Sequence, residues 1–374
     1  SNLNFSPPKT LARGRSMPPP PPSMLMEELL EEVFFRLLPD EPAWLVRASA
    51  VCKPWRSILA DPVFRRRYRE FHGTPPVLGL FEKLSPRLVP IPAFFPAQTY
   101  HPDWAAMDCR HGRALFCQFG ETRDLIVLDP LTGRQCQVPS PPHYPVYFSA
   151  AVLCAAQGCD HHNCQAGHFR VVMCPSKLEG VTLGWMYSSE TRLWTELTSD
   201  IHPTADYYSV SAMPSILVGD ALYFNVDAVI ECQLGTLCFS MFEKPTDDNG
   251  TLMMVEDDVL GFAAVVDVTL TLWSREAGPE GAMGWIKLRV IDLKTLLPNV
   301  ALFIPSALVI NGYAEGTQVI FVRTSVGCYM VDLKLGRSRK VSYHGRKSFP
   351  YTSFYIPDSC TSAAMEAASP GQGQ

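Results

Sequence analysis

The apolar positions change period once along the chain. From residue 24 to 72 they recur at helical spacing: Leu25, Leu29, Val33 and Leu37 fall four apart, with Leu30 and Phe34 beside them. Glu27, Glu28, Glu31 and Glu32 crowd the first turns, where the helix dipole favours anions. Leu38-Pro39 ends this helix, because the residue before a proline is pushed out of helical backbone. Asp40 is placed to cap a second helix, with Pro42 in its first turn. A third carries Val51, Trp55, Ile58 and Leu59. Asp61-Pro62 opens another, with Phe64, Tyr68 and Phe71 inside and Arg65, Arg66, Arg67 and Arg69 mostly outside. Residues 24–72 thus predict a small all-α unit of three to four helices.

After His72-Gly73-Thr74-Pro75-Pro76, short runs of Val, Ile, Leu, Phe and Tyr alternate with Gly, Pro and Asp turns, which is an all-β signature. A strand–turn–strand pattern recurs at Asp124–Val138, Leu183–Leu197, Ala228–Met241, Trp285–Leu297 and Val326–Val341. A further apolar run precedes each copy. The turn positions Asp129, Ser188, Gln233, Asp292 and Asp332 have a mean spacing of about 51 residues. A β unit repeating at this distance predicts a propeller, whose radial closure leaves few exposed edges. Residues 73–359 hold about six blades at that period, with seven as the alternative count. The competing architecture is a β-sandwich with coincidental spacing, but sandwich strands do not usually repeat their turn chemistry at this distance.

Composition narrows the class. Of 374 residues 47% are hydrophobic and 18% charged, enough to bury a sizeable core. The 33 prolines argue against an all-helical repeat protein, since helix interiors exclude proline. A net charge of −5 excludes a strongly basic coat for nucleic acid, so no nucleic-acid partner is expected. The apolar run Val146–Ala156 is too short to span about 30 Å of hydrocarbon, so no membrane partner is expected either. Residues 1–23 end in Pro18–Pro22 and read as a disordered, proline-rich leader; residues 360–374 read as a disordered tail. The 12 cysteines contain no C-x-x-C pair, which points to free thiols in a reducing compartment, cytoplasmic and/or nuclear.

Candidate chemistry is sparse. Cys154, Cys159, His161, His162, Cys164, His168 and Cys174 crowd one stretch. Its zinc reading uses Cys159, His161, Cys164 and His168, but the spacing fits no standard finger. The reading adopted is a variable loop without a cofactor, flanked by Cys154 and Cys174 as buried strand thiols. No H-E-x-x-H, G-x-S-x-G, G-x-G-x-x-G or P-loop occurs, so no catalytic residue is assigned. The acidic clusters at Asp247-Asp248 and Glu256-Asp257-Asp258 read as solvated loops.

The stretch LMEELLEEVFFRLLPDEPAWLVRASAVCKPWRSILADPVF, from Leu25 to Phe64, resembles an F-box. Its Val51-Cys52-Lys53-Pro54-Trp55-Arg56 core matches the family pattern and is followed by Asp61-Pro62. One departure is Met26, where the family usually has proline. The runs AMDCRHGRALF, LIVLDPLTGRQCQVPSPP, GHFRVVM, LVGDALYF, LTLWSREAG and SFPYTSFYIPD resemble the kelch-like, F-box-associated propeller of a large plant-type F-box family. The resemblance implies a non-catalytic substrate receptor of a Skp–cullin–F-box ubiquitin ligase. Its F-box would dock on a Skp-type adaptor, and through it on cullin, while the propeller holds a protein target. On that reading Leu25, Leu29, Leu38, Pro39, Leu45, Val51 and Trp55 carry the adaptor contact or the packing that shapes it, with internal core as the alternative for about half. Trp273 and Arg275 are candidate target contacts, although Trp273 sits at a strand end and reads better as core. The alternatives are an adaptor-bound scaffold outside any ligase and a metal-dependent propeller enzyme.

Overall fold

The computed structural model describes residues 22–357 except 84–86, 92–97, 121–122, 143–147, 162–163, 165, 176–181, 200–213, 249, 256–257, 279 and 342–346. The expected tail, Glu256-Asp257 and nearly all of the expected leader lie outside the described residues.

Four helices come first: α1 (Pro22–Phe35), α2 (Ala43–Val51), α3 (Lys53–Ala60) and α4 (Pro62–His72). The side chain of Asp61 accepts from the Val63 amide at 3.2 Å and Pro62 fills the first helical position, as the sequence predicts. Asp40 does not cap α2. That place falls to Pro42, and Asp40 sits in a turn closed by Glu41 N–H donating to Leu38 O at 3.2 Å. Val51 ends α2 rather than entering α3, because Cys52 between them is extended (φ −160°, ψ 165°).

Apart from three short 3-10 turns between Leu293 and Ala307, the other regular structure among the described residues is β. The first strands are β1 (Val77–Glu82), β2 (Arg87–Pro90) and β3 (Gln98–Thr99). They are followed by β4 (Trp104–Arg110), β5 (Arg113–Gln118), β6 (Leu125–Leu128) and β7 (Gln135–Val138). The next blade holds β8 (Phe148–Cys154), β9 (Phe169–Pro175), β10 (Thr182–Ser188) and β11 (Leu193–Ser199). Then come β12 (Ile216–Val218), β13 (Ala221–Asn225), β14 (Val229–Gln233) and β15 (Cys238–Phe242). The fifth group is β16 (Gly250–Met254), β17 (Leu260–Val266), β18 (Thr269–Ala277) and β19 (Met283–Asp292). The last is β20 (Val309–Ala314), β21 (Val319–Thr324), β22 (Gly327–Asp332) and β23 (Arg337–Val341), with β24 (Ser348–Thr352) at the end.

These form six four-stranded antiparallel sheets, a six-blade propeller. Five blades are meanders of consecutive strands; the sixth pairs β24 with β1, so the chain's two ends close the ring. The inner strands pack blade to blade and carry small residues where they converge, such as Ala105, Ala106, Ala150 and Ala151, all buried. Gly312 on β20 is required there, since a Cβ would come within 2.9 Å of Ser348 O. The outermost strand β23, RSRKV, shows charged side chains to solvent, which protects its open edge.

Four of the five repeated hairpins are outer hairpins: β6–β7, β10–β11, β14–β15 and β22–β23. At each turn the amide four residues on donates back to the carbonyl of Asp129, Ser188, Gln233 or Asp332. That fourth residue is left-handed each time: Gly133, Arg192, Leu237 and Gly336. The fourth copy is one strand out of step. Trp285–Asp292 is the outer strand itself, paired with β18, and Asp292 caps a 3-10 turn leading to the next blade. The alternating pattern of β19 continues into apolar 3-10 residues, which disguised the strand end.

Candidate functional site

The helical unit sorts the predicted adaptor residues into surface and core. Leu45 is 1% exposed and belongs to the core with Phe34, Phe35, Leu59, Phe64 and Tyr68. Trp55 is half-buried and sets its edge on Phe34, ring centroids 5.3 Å apart. Leu29 and Val51 are open, at 64% and 61% exposure. Leu38 is also exposed, but with half-buried Pro39 it lines a cleft shared with Val319 and Met330 of the propeller. The Leu25 side chain lies outside the described residues. The row of apolar residues on α1 divides between interior and surface. Phe34 and Phe35 are buried, whereas Met26, Leu29 and Val33 form an outward apolar row at i, i+3 and i+7. On α4, Phe71 is exposed and Arg69 buried, the reverse of the expectation. The phenol of Tyr68 donates to Leu37 O at 2.6 Å and ties α4 to the end of α1.

The end of the chain joins the two parts. Phe354 and Ile356, just after β24, are buried in the helical core. Tyr68 meets Phe354 edge to face at 6.3 Å, and Arg65 donates to Ile356 O at 3.2 Å. The helices therefore sit at the face of the propeller where each inner strand turns into its neighbour.

At that face a cleft of about 350 Å³ opens on the axis, lined by residues of all six blades and by Gly73–Pro75 of the linker. Its floor is ionic. Arg110 is buried and donates bidentately to Glu315, at 2.7 Å to each oxygen, and at 2.9 Å to Asp108. Asp108 also accepts from the Val152 amide at 2.9 Å, and Glu315 from the Leu217 amide at 3.1 Å. Four blades are thereby bridged across the axis. Burial outweighs Arg110 at Asp108 and lifts its carboxyl to about 6. Arg110 is pushed further up, since Asp108 and Glu315 together more than offset its desolvation.

The β8–β9 loop reaches the same cleft through Asp160 and His161. Here the candidate zinc set, which the sequence offered only as the alternative to a variable loop, is redrawn. His168 is exposed, and its Nδ1 lies 3.4 Å from Ser189 Oγ. Cys154 takes its place: ligand atoms of Cys154, Cys159, His161 and Cys164 all lie within 4.8 Å of one another. Cys154 is half-buried at the strand end, not the buried thiol expected, while Cys174 is buried as predicted. The only signal for Cys154 was its position five residues before Cys159. Trp273 and Arg275 lie within β18; Trp273 packs on the core, and the Arg275 guanidinium covers the Phe242 ring at 3.5 Å. Trp273 is thus core, as its strand-end position suggested, and Arg275 is half-buried against an aromatic ring.

Residues 27–70 match the F-box-like family. The chain thus carries an F-box-like domain followed by a six-blade β-propeller. A search of curated proteins found no match. Among solved structures, similarity extends to a functionally unknown protein from Desulfotomaculum acetoxidans DSM 771, at 8% identity over 72% of this chain and 84% of that one, TM-score 0.38. It extends also to YCF48 bound to D1 peptide, at 9% identity over 74% and 82%, TM-score 0.40. At these scores neither likeness bears on function. No helix among the described residues is long and apolar enough to cross a membrane.

Proposed function

We propose that the protein is a substrate-recognition subunit of a Skp–cullin–F-box ubiquitin ligase. The F-box-like domain docks on a Skp-type adaptor and through it on cullin, and the propeller holds the protein to be ubiquitinated. The observation that carries this reading is the outward row Met26, Leu29 and Val33 on a helix of the F-box-like domain. An apolar row left in water on so small a unit wants a partner. The likeness of the propeller runs to the plant-type, kelch-like family adds to it. The subunit performs no bond chemistry itself; it raises the effective concentration of a target lysine near the charged ubiquitin carrier.

Co-expression of the full chain with a Skp-type adaptor and cullin, followed by affinity capture, tests the reading. Recovery of a stoichiometric complex that is lost in Leu29→Gln/Val33→Gln supports it. A folded chain that captures no adaptor refutes it, and one that captures adaptor without cullin points to the scaffold alternative.

A further inference from the structure

We propose that Cys154, Cys159, His161 and Cys164 bind one zinc ion that pins the β8–β9 loop to the axial face of the propeller. Three thiolates and one imidazole are the donors zinc prefers, and a four-ligand protein set with no open position is a structural site rather than a catalytic one. In a tetrahedral site of this kind, bonds of about 2.3 Å to sulfur and 2.0 Å to nitrogen place the ligand atoms about 3.5–3.8 Å apart. The Cys164 Sγ to His161 Nδ1 distance is already 3.7 Å, and no pair of the four exceeds 4.8 Å. Closure on the metal needs movements of about 1 Å or less.

Charge supplies an independent argument. Arg113 is among the most completely buried side chains and has no carboxylate partner among the described residues. It donates to Cys164 O, to Gly167 O at 3.1 Å and to Cys164 Sγ at 3.6 Å. A buried guanidinium without an anion is strongly disfavoured. A zinc ion with three thiolates and a neutral imidazole carries a net charge of −1, and it would stand directly against Arg113. The surroundings also fit. The His161 amide points at Cys159 Sγ at 3.4 Å, and the His111 ring stacks on His161 at 3.7 Å between centroids, which fixes its plane. The loop is closed at its base by Ala155 N–H donating to His168 O at 3.1 Å. One ligand at its root and three along it would hold it in place.

The test is elemental analysis of the full-length chain, expressed in zinc-containing medium and purified under reducing conditions without chelator. One zinc per chain is expected, released when a mercurial reagent modifies the thiols. Cobalt(II) exchanged into the protein should show the visible absorption of a tetrahedral thiolate site. Cys159→Ser and His161→Ala should lose the metal, and His168→Ala should keep it. A wild-type chain with neither zinc nor the cobalt spectrum overturns the proposal, whatever the variants do. So does full zinc in a Cys159→Ser/His161→Ala double variant, or an intact mass two hydrogens short that maps to a Cys154–Cys164 disulfide.

Discussion

Replacing Leu29 and Val33 by glutamine should separate docking from folding. Both side chains point to water in the free chain, at 64% and 55% exposure, so their loss removes little buried surface. Glutamine is a good helix former, and stability should change by no more than about 0.5 kcal/mol. A partner that covers the exposed part of each side chain gains about 1–2 kcal/mol from it, given about 1.5–3 kcal/mol for complete burial of Leu or Val. On the proposed docking, the pair should account for about 2–4 kcal/mol of adaptor affinity, or about thirtyfold to several-hundredfold in Kd. Leu45→Ala is the contrasting variant. Leu45 is 1% exposed, and its truncation costs about 2–5 kcal/mol through the cavity left in the helical core. It should weaken adaptor binding only along with a fall in the helical melting transition. Calorimetric titration of each variant with adaptor, beside circular dichroism melts, reads both effects. Tight binding by the Leu29→Gln/Val33→Gln protein would refute the argument, and so would loss of its helical signal.

Further outcomes follow from the junction and the axis. Phe354→Ala should cost about 3–5 kcal/mol and make the helices sensitive to limited proteolysis while the propeller stays resistant; equal protection of both parts would contradict the clamp. Arg110→Met leaves Asp108 and Glu315 facing one another without their cation, and should lower propeller stability by about 3–5 kcal/mol in urea titrations; a loss under about 1 kcal/mol would show the ion cluster to be dispensable. Asp108 has a folded pKa of about 6, above its ordinary 3.8, so the folded state holds a proton that the unfolded state has released between these values. This contribution is fully present below the unfolded pKa and lost as pH rises through about 6, up to about 3 kcal/mol in all. The stability of wild type relative to Asp108→Asn should fall over that window, and a difference that rises or stays flat from pH 4 to 7 would contradict it.

Much of the architecture was legible because it rests on local pattern. The turn positions Asp129, Ser188, Gln233 and Asp332 repeat since each outer hairpin needs the same reversal, and that requirement acts within five residues. The error at Trp285–Leu297 arose where apolar residues run on past the strand into 3-10 turns, so period alone could not mark its end. On α1 the helical period was legible, but spacing alone does not say which apolar residues face the interior. The core of this unit is aromatic, and Phe34 and Phe35 take the interior while Leu29 and Val33 stay at the surface. What a sequence hides most fully is contact across long separations. Arg110 meets Glu315, and Phe354 meets Tyr68, through the closure of the ring. Neither pairing leaves a periodic trace.

That closure has a consequence for the proposed role. Because β24 completes the blade begun by β1, both ends of the propeller emerge at one face, 73–77 leading in and 353–357 leading out. The first segment is the only covalent route from the helices, and a single connection ending in Gly73 at φ 67° would leave them free to swing. The second segment removes that freedom by burying Phe354 and Ile356 among the helices. Two attachments on one side fix an orientation where one would give a tether. A receptor gains from this, since the effective concentration of a target lysine near the ubiquitin carrier falls when the intervening link is loose. The helices are thus held at one fixed orientation on the face with the axial cleft.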